Sequence, residues 1–247
     1  DDDAAEAAEQ RAVAPFAARG NRDVQALCEQ FGDVAIIHIE GVIDKALTSF
    51  EKSCYGGLDL RDVDQAIALA ADDPSITRVV FEFNTPGGST TGVMETAARI
   101  AALARTKEVH AYTDSMCCSA GMWLASQCDH IAATSSATLG SIGVYIALLD
   151  ESEALKMEGY KVELIKAGAF KAMGASFKPL ADEERALLQT DVDQTYTAFR
   201  TAITAKRDVP QAAMEGQWYD GAQALAHKVI DEAVSYTHLT LPTKRIV

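Results

Sequence analysis

Short apolar runs alternate with amphipathic stretches along most of this chain. Four short, largely apolar runs predict buried strands, at 34–43, 76–83, 109–113 and 131–133. The stretches between and after them predict helices, at 58–71, 93–105, from about 119 onward, and at 150–158. Strands and helices that alternate at this length are typical of an α/β domain with a largely parallel sheet.

The pattern changes after residue 158. Residues 161–166 alternate polar and apolar positions and predict one more strand, which a loop containing Gly168 and Gly174 follows. A long charged helix is predicted at 181–206 and a final helix at 220–227, and residues 229–234 close the domain. We therefore place one α/β domain at 34–234.

The two ends of the chain differ from this domain. Residues 1–33 begin Ala-rich and acidic, which predicts a mobile or partly helical arm outside the core. Residues 235–247 bring Thr, His and Pro after Ala- and Glu-rich helices, and 234–243 resemble the conceptual translation of a sequencing adapter. We expect 235–247 to be a non-native tail and place no function on it, His238 included.

Composition and charge exclude several classes of function. The net charge of −14 argues against binding to nucleic acid or to an anionic membrane. No run approaches 18 apolar residues and no basic leader is visible, so we expect a cytoplasmic protein, or an envelope-associated one if an N-terminal anchor has been lost. The five cysteines lack C-x-x-C spacing, which favours a reducing compartment without a metal site.

Two loops at predicted strand ends carry candidate chemistry. Ser119 lies among small residues where a strand turns into a helix, so its hydroxyl can face a cleft beside free backbone N–H groups. Gly87 and Gly88 follow Pro86, and their N–H groups can approach an oxyanion without a Cβ in the way. Taken singly, the first loop also fits tight helix packing and the second an ordinary strand-to-helix turn.

A serine nucleophile needs a base, and the histidines are poor candidates. None lies in a convincing loop at a strand end, and we interpret His130, beside Asp129, as a helix-to-strand connection. Lys171 lies in a loop flanked by Ala169, Phe170, Ala172 and Met173, which we expect to exclude water and so to lower the lysine pKa. The alternative is an ordinary solvated lysine.

Taken together, the motifs resemble the signal peptide peptidase A family and its phage head-maturation relatives, within the Clp protease/crotonase superfamily. The resemblance covers about 34–234 and rests on Asn84-Thr-Pro-Gly-Gly88, Cys118-Ser-Ala-Gly121, Cys128-Asp-His-Ile131, Gly140-Ser-Ile-Gly-Val144 and Gly168-Ala-Phe-Lys171. It implies Ser119 as nucleophile, Lys171 as general base and Ser141 as the hydroxyl that orients the lysine. It also implies an oxyanion hole of backbone N–H groups at Gly88 and Ala120, with Gly87 as a further candidate.

The resemblance implies a homo-oligomeric serine endopeptidase that cleaves extended polypeptides through an acyl-enzyme, without cofactor or metal. The soluble chain and residues 176–187 are more similar to the phage branch, which matures capsid and scaffold proteins in the host cytoplasm or procapsid. Cys117 and Cys118 depart from the small residues usual before the serine, and neither an N-terminal membrane anchor nor a tandem duplication is seen. The alternatives are an envelope signal peptide peptidase, a crotonase-type acyl-CoA enzyme and a catalytically silent oligomeric scaffold.

Overall fold

The computed structural model describes residues 20–234, which divide into two compact units. The core unit comprises 20–143 and 199–234, and the inserted unit comprises Val144–Ala198. Residues 1–19 and the proposed tail at 235–247 lie outside the described residues. Within 20–234, no helix has both the length and the apolar character needed to cross a bilayer.

The strands of the core unit form a main sheet and two small ones. In chain order the strands are β1 (Cys28–Phe31), β2 (Val34–Glu40), β3 (Val42–Asp44), β4 (Gly57–Asp59), β5 (Arg78–Asn84), β6 (Glu108–Thr113), β7 (Met116–Cys118), β8 (His130–Thr134), β9 (Thr138–Gly140), β10 (Trp218–Tyr219) and β11 (Glu232–Val234). The main sheet has the order β1-β2-β5-β6-β8-β11. Only its β1–β2 pair is antiparallel, which confirms the predicted α/β class with a largely parallel sheet.

The described residues contain the six predicted helices and two further ones, at 22–26 and 49–55, that apolar periodicity did not predict. The helices are α1 (Arg22–Ala26), α2 (Ser49–Tyr55), α3 (Leu60–Asp72), α4 (Val93–Leu103), α5 (Ala120–Ala125), α6 (Ser152–Met157), α7 (Asp182–Thr204) and α8 (Gly221–Ala226). Side-chain caps begin several of them: Asp59 accepts the Arg61 N–H at the start of α3, and Asp220 accepts the Gln223 N–H in a capping box at α8.

The core lies on the central strands of the main sheet. Ile37 and Ile39 of β2 and Phe81 and Phe83 of β5 are essentially inaccessible to solvent. Helix α3 contacts β2 and packs against α4, with its apolar stripe buried. Central strands of a parallel sheet are typically covered on both faces, so they read as nearly continuous apolar runs.

Part of the arm predicted at 1–33 belongs to the core unit, since residues 22–31 form a helix and a strand there. Helix α1 buries Val24, and β1 pairs with β2 through a turn at Gly32, so both belong to the core unit. The β1 run has only four residues, two of them charged or amide side chains, and such a short edge strand carries little periodicity. Its pairing with β2 creates the strand.

The strand predicted at 161–166 is wrong, since these residues adopt no regular structure. Their apolar side chains are open to solvent, and Ile165 is 97% exposed. A strand forms only where a neighbour accepts its hydrogen bonds, and alternation in the sequence does not supply that neighbour. The inserted unit is ordered elsewhere, by α6 and by the start of α7, where Glu184 is buried and accepts the Lys178 ammonium at 2.6 Å.

Candidate active site

Ser119 occupies the turn between β7 and α5 in a rare backbone conformation. Its φ of +52° and ψ of −119° lie in a region that residues with a Cβ seldom adopt and that costs on the order of 1–3 kcal/mol. The Ser119 N–H donates to the Gly140 carbonyl at 2.9 Å, and its own carbonyl accepts the Trp123 N–H at 3.0 Å. A sharp strand-to-helix turn held in this way presents a serine hydroxyl at the edge of a sheet.

The glycine loop after β5 passes directly against Ser119. A Cβ added to Gly87, whose φ is +98°, would lie 2.6 Å from the Ser119 Cβ and 2.9 Å from the Cys118 carbonyl oxygen. A Cβ does not tolerate such contacts, so the glycine loop and the turn that carries Ser119 approach each other through backbone at Gly87. The bridge between Thr85 and Cys117 joins the two segments two residues before Gly87 and Ser119.

Two backbone N–H groups beside Ser119 are available to a ligand. The loop is held by β3, since the Ile43 N–H donates to the Gly87 carbonyl at 2.9 Å and the Ser89 N–H to the Ile43 carbonyl at 2.8 Å. Among the described residues, no acceptor binds the N–H of Gly88 or of Ala120. The Gly87 N–H is already engaged, because it donates to the Thr85 hydroxyl at 3.1 Å. Of the three predicted oxyanion donors, Gly88 and Ala120 therefore keep a free N–H group, and Gly87 does not.

Strand pairing brings Ser141 to the same edge. β7 and β9 run parallel with Cys118 opposite Gly140, so Ser119 and Ser141 are the residues that follow this pair. Ser141 also has a positive φ, +51°, and its N–H donates to the Gln217 carbonyl at 2.6 Å. The core unit thus gathers three of the predicted elements: Ser119, Ser141 and the Gly87–Gly88 loop.

Lys171, the predicted general base, lies in a turn of the inserted unit. Its N–H donates to the Gly168 carbonyl at 3.3 Å, and its side chain is exposed. Phe170 is itself 45% exposed, so the expectation that neighbouring residues exclude water from Lys171 does not hold within this turn. Of the loop's other lysines, Lys178 is committed to Glu184 and Lys166 donates to the Ala169 carbonyl. In the described chain the Lys171 ammonium has no such partner.

The two cysteines before Ser119 are packing residues. Burial raises the pKa of the Cys118 thiol to about 11 and that of Cys117 well above its ordinary value. Both thiols are therefore protonated near neutral pH, whereas the thiolate is the nucleophilic form. The Ser119 hydroxyl is therefore the remaining candidate nucleophile at this turn.

The described histidines belong to the sheet and to a helix end. His110 and His130 are cross-strand partners near the starts of β6 and β8, with ring centroids 5.6 Å apart. His38 of β2 lies between Glu29 and Glu82, and His227 at the end of α8 contacts the Tyr219 ring. The carboxyl ends of these parallel strands lie at one edge of the sheet, and the loop after β5 meets Ser119 there. His110 and His130 lie toward the opposite edge, where the strands start. In the part of the chain that is described, no cluster of His, Cys, Asp and Glu is arranged to hold a metal ion.

Comparison with known proteins places the chain among peptidases. A sequence model of peptidase family S49 matches residues 101–244, more than half of the chain. Capsid assembly protease C of Escherichia phage lambda is 29% identical over 238 residues, which are 92% of this chain and 53% of that protein. A putative signal peptide peptidase SppA of Enterococcus faecium is 30% identical over 169 residues, 65% of this chain and 48% of that protein. The chain spans about half the length of these curated relatives.

Two solved structures align with most of the chain at low identity. One is an enoyl-CoA hydratase/isomerase family member, with 15% identity and a TM-score of 0.46 over 89% of this chain and 72% of that one. The other is a point mutant of ClpP1 from Listeria monocytogenes, with 11% identity and a TM-score of 0.49 over 81% of this chain and 91% of that one.

Proposed function

The chain belongs to peptidase family S49, and on that premise we propose that it is a serine endopeptidase whose nucleophile is Ser119. One observation carries this proposal. Ser119 stands in a strained turn against the Gly87 backbone, and the residues that follow these two, Gly88 and Ala120, each have a free N–H group. A nucleophile next to two unengaged donors is the arrangement that acyl transfer requires.

In the proposed reaction, the Ser119 Oγ attacks the carbonyl carbon of a peptide bond and gives up its proton to a base. The carbonyl oxygen becomes an oxyanion that accepts hydrogen bonds from the Gly88 and Ala120 N–H groups. The C–N bond then breaks, the amine leaves with a proton, and the acyl group remains on Ser119. Water, deprotonated by the same base, hydrolyses this ester and regenerates the hydroxyl.

We assign the role of base to Lys171 and the role of orienting it to the Ser141 hydroxyl. A free lysine has a pKa of about 10.4, so a lysine that works near neutral pH needs a pKa lower by roughly 3 units, or about 4 kcal/mol. Burial supplies shifts of this size. The turn around Lys171 leaves it exposed, and we assign the cover to bound polypeptide together with a second copy of the chain. The proposal therefore includes a homo-oligomer that completes the substrate groove.

The proposed substrate is an extended polypeptide of a phage head, either scaffold or capsid precursor. The lambda capsid protease supports this assignment, because its similarity extends over 92% of this chain. The enzyme would then act in the host cytoplasm or in the procapsid. Clearance of signal peptides at the envelope is the alternative, and the two are separated by offering the purified protein a scaffold polypeptide and a signal peptide side by side.

Cleavage of an unfolded polypeptide such as casein tests the activity itself. We expect cleavage by the wild type and none by Ser119→Ala, since one hydroxyl is lost from a turn that the backbone holds. Ser135→Ala is the matched control, because it removes the hydroxyl of an exposed serine at the end of β8. A fluorophosphonate should modify the wild type at Ser119 with loss of fluoride, as peptide mass spectrometry would show, and a peptide aldehyde should inhibit the wild type reversibly. Casein cleavage by Ser119→Ala at the wild-type rate would refute the assignment.

A further inference from the structure

Thr85 connects the glycine loop to the nucleophile turn, and neither the sequence motifs nor the proposed mechanism uses its side chain. It is completely buried at the end of β5. Its N–H donates to the Met116 carbonyl at 2.9 Å, and its carbonyl accepts the Cys118 N–H at 3.1 Å. These bonds align the backbone of β7, which leads directly into Ser119.

The Thr85 hydroxyl makes two further bonds, in opposite senses. It donates to the Gly41 carbonyl at 2.6 Å, and it accepts the Gly87 N–H at 3.1 Å. The Gly87 carbonyl lies farther away, at 3.5 Å, so the single hydroxyl proton goes to Gly41. The hydroxyl thus links the turn before β3 to the loop that carries Gly88.

The methyl group of Thr85 reaches the other side of the site. A Cβ added to Gly121, in the first turn of α5, would lie 2.5 Å from the Thr85 Cγ2. The same methyl therefore sets how closely α5 approaches the end of β5. The buried Thr85 side chain therefore contacts a neighbour of each N–H group. Its hydroxyl binds Gly87, which precedes Gly88, and its methyl packs at Gly121, which follows Ala120.

We propose that Thr85 is a positioning residue that holds the N–H groups of Gly88 and Ala120 in register with Ser119. This inference rests on the proposed peptidase function. The hydroxyl fixes the orientation of the Gly87 peptide, and the next N–H in the chain is that of Gly88. By occupying the Gly87 N–H, the hydroxyl also leaves Gly88 as the donor on that side of the cleft.

Misplacing these N–H groups should weaken the stabilisation of the transition state. Oxyanion donors act where charge develops, so a displaced donor lowers kcat and leaves ground-state binding of the peptide largely intact. Loss of one donor costs about 10²–10³-fold in kcat, and a donor displaced but still present costs less. For loss of the Thr85 hydroxyl we expect about a 10- to 100-fold fall in kcat, with KM changed by less than about 3-fold.

Three variants test the assignment. Thr85→Val keeps the shape and removes the hydroxyl, whereas Thr85→Ser keeps the hydroxyl and removes the methyl. Thr96→Val is the control, because Thr96 is equally buried and donates its hydroxyl to the Asp64 carboxylate at 2.8 Å, between α4 and α3. The measurements are kcat and KM on a peptide substrate, Ki for a peptide aldehyde that forms a tetrahedral adduct, and the melting temperature.

We expect Thr85→Val to lose kcat and to raise the aldehyde Ki by a similar factor, with KM preserved. Thr85→Ser should retain most of kcat and fall about 3-fold below the wild type, because it keeps the hydroxyl but loses the methyl contact with α5. Thr96→Val should lower only the melting temperature. If Thr85→Val does not fold, Thr85→Ala is compared with Thr85→Ser, and only the serine variant should be active.

Several outcomes would overturn the inference. They are an unchanged kcat in Thr85→Val, a loss seen only in KM, or an equal loss of kcat in Thr96→Val. A wild type that cleaves while Thr85→Val cleaves equally well refutes the role of Thr85 alone. A wild type that neither cleaves nor reacts with the aldehyde refutes the proposed peptidase function instead.

Discussion

Replacing Gly87 by alanine should disable the site by direct contact. The new Cβ would lie 2.6 Å from the Ser119 Cβ and 3.0 Å from the Ala120 nitrogen. Ordinary carbon–carbon contacts are about 3.5–4.0 Å, so the loop or the nucleophile turn must move by about 1 Å. A displacement of about 1 Å can cost on the order of 10²-fold in rate. We therefore expect kcat/KM to fall by about 10²-fold, equivalent to about 2.7 kcal/mol of transition-state stabilisation.

The same substitution also carries a backbone cost that has to be separated from the contact. A side chain at positive φ costs roughly 1–2 kcal/mol, which lowers the melting temperature of a chain of this size by about 2–8 °C. Gly159→Ala is the matched control, since Gly159 has a φ of +83° and an added Cβ there meets no atom within 4 Å. Both variants should lose stability, and only Gly87→Ala should lose kcat/KM. If the two variants cleave a peptide equally well, the contact between the added Cβ and Ser119 does not disturb catalysis, and the reasoning is refuted.

Two further predictions concern charge. Lys171→Ala and Lys171→Arg should both be inactive on peptide substrates, because an arginine cannot act as a base near neutral pH, while Lys166→Ala and Lys178→Ala stay active. Wild-type kcat/KM should rise with pH along one ionisation below about 10.4, and an active Lys171→Arg enzyme would refute the serine–lysine mechanism. For stability, the hydrogen bond to Glu82, 3.0 Å from the ring, raises the pKa of His38 above 6.5, and the same bond lowers the pKa of Glu82 below 4.5. The contribution of protonated His38 to the free energy of unfolding is complete below pH 6.5 and is lost as the pH rises through the folded-state pKa of His38. The contribution of the Glu82 carboxylate to the free energy of unfolding is complete above pH 4.5 and is lost as the pH falls through the folded-state pKa of Glu82. His38→Gln should therefore lower the melting temperature more at about pH 5.5 than at about pH 8.5, and an equal loss at both would contradict this.

Local patterns in the sequence determined the class of fold and the position of the loops. The apolar runs around Ile37 and Phe81 predicted buried parallel strands, because burial along a whole strand requires nearly continuous apolar residues. Small residues around Ser119 and the glycines after Pro86 marked two strand ends, where side chains have to be small for the backbone to turn. These features depend on residues close together in the chain, and the sequence displays them directly.

The tertiary structure decided the features that depend on a distant partner. Strand β1 exists because β2 pairs with it, and 161–166 forms no strand although its pattern alternates. The Gly87 N–H proved to be engaged by the Thr85 hydroxyl, which a motif of glycines does not reveal. Ser141 lies at the same sheet edge as Ser119 only because β7 and β9 pair with Cys118 opposite Gly140. Hydrogen-bond partners far apart in sequence set these outcomes, and neither periodicity nor composition specifies which groups will meet.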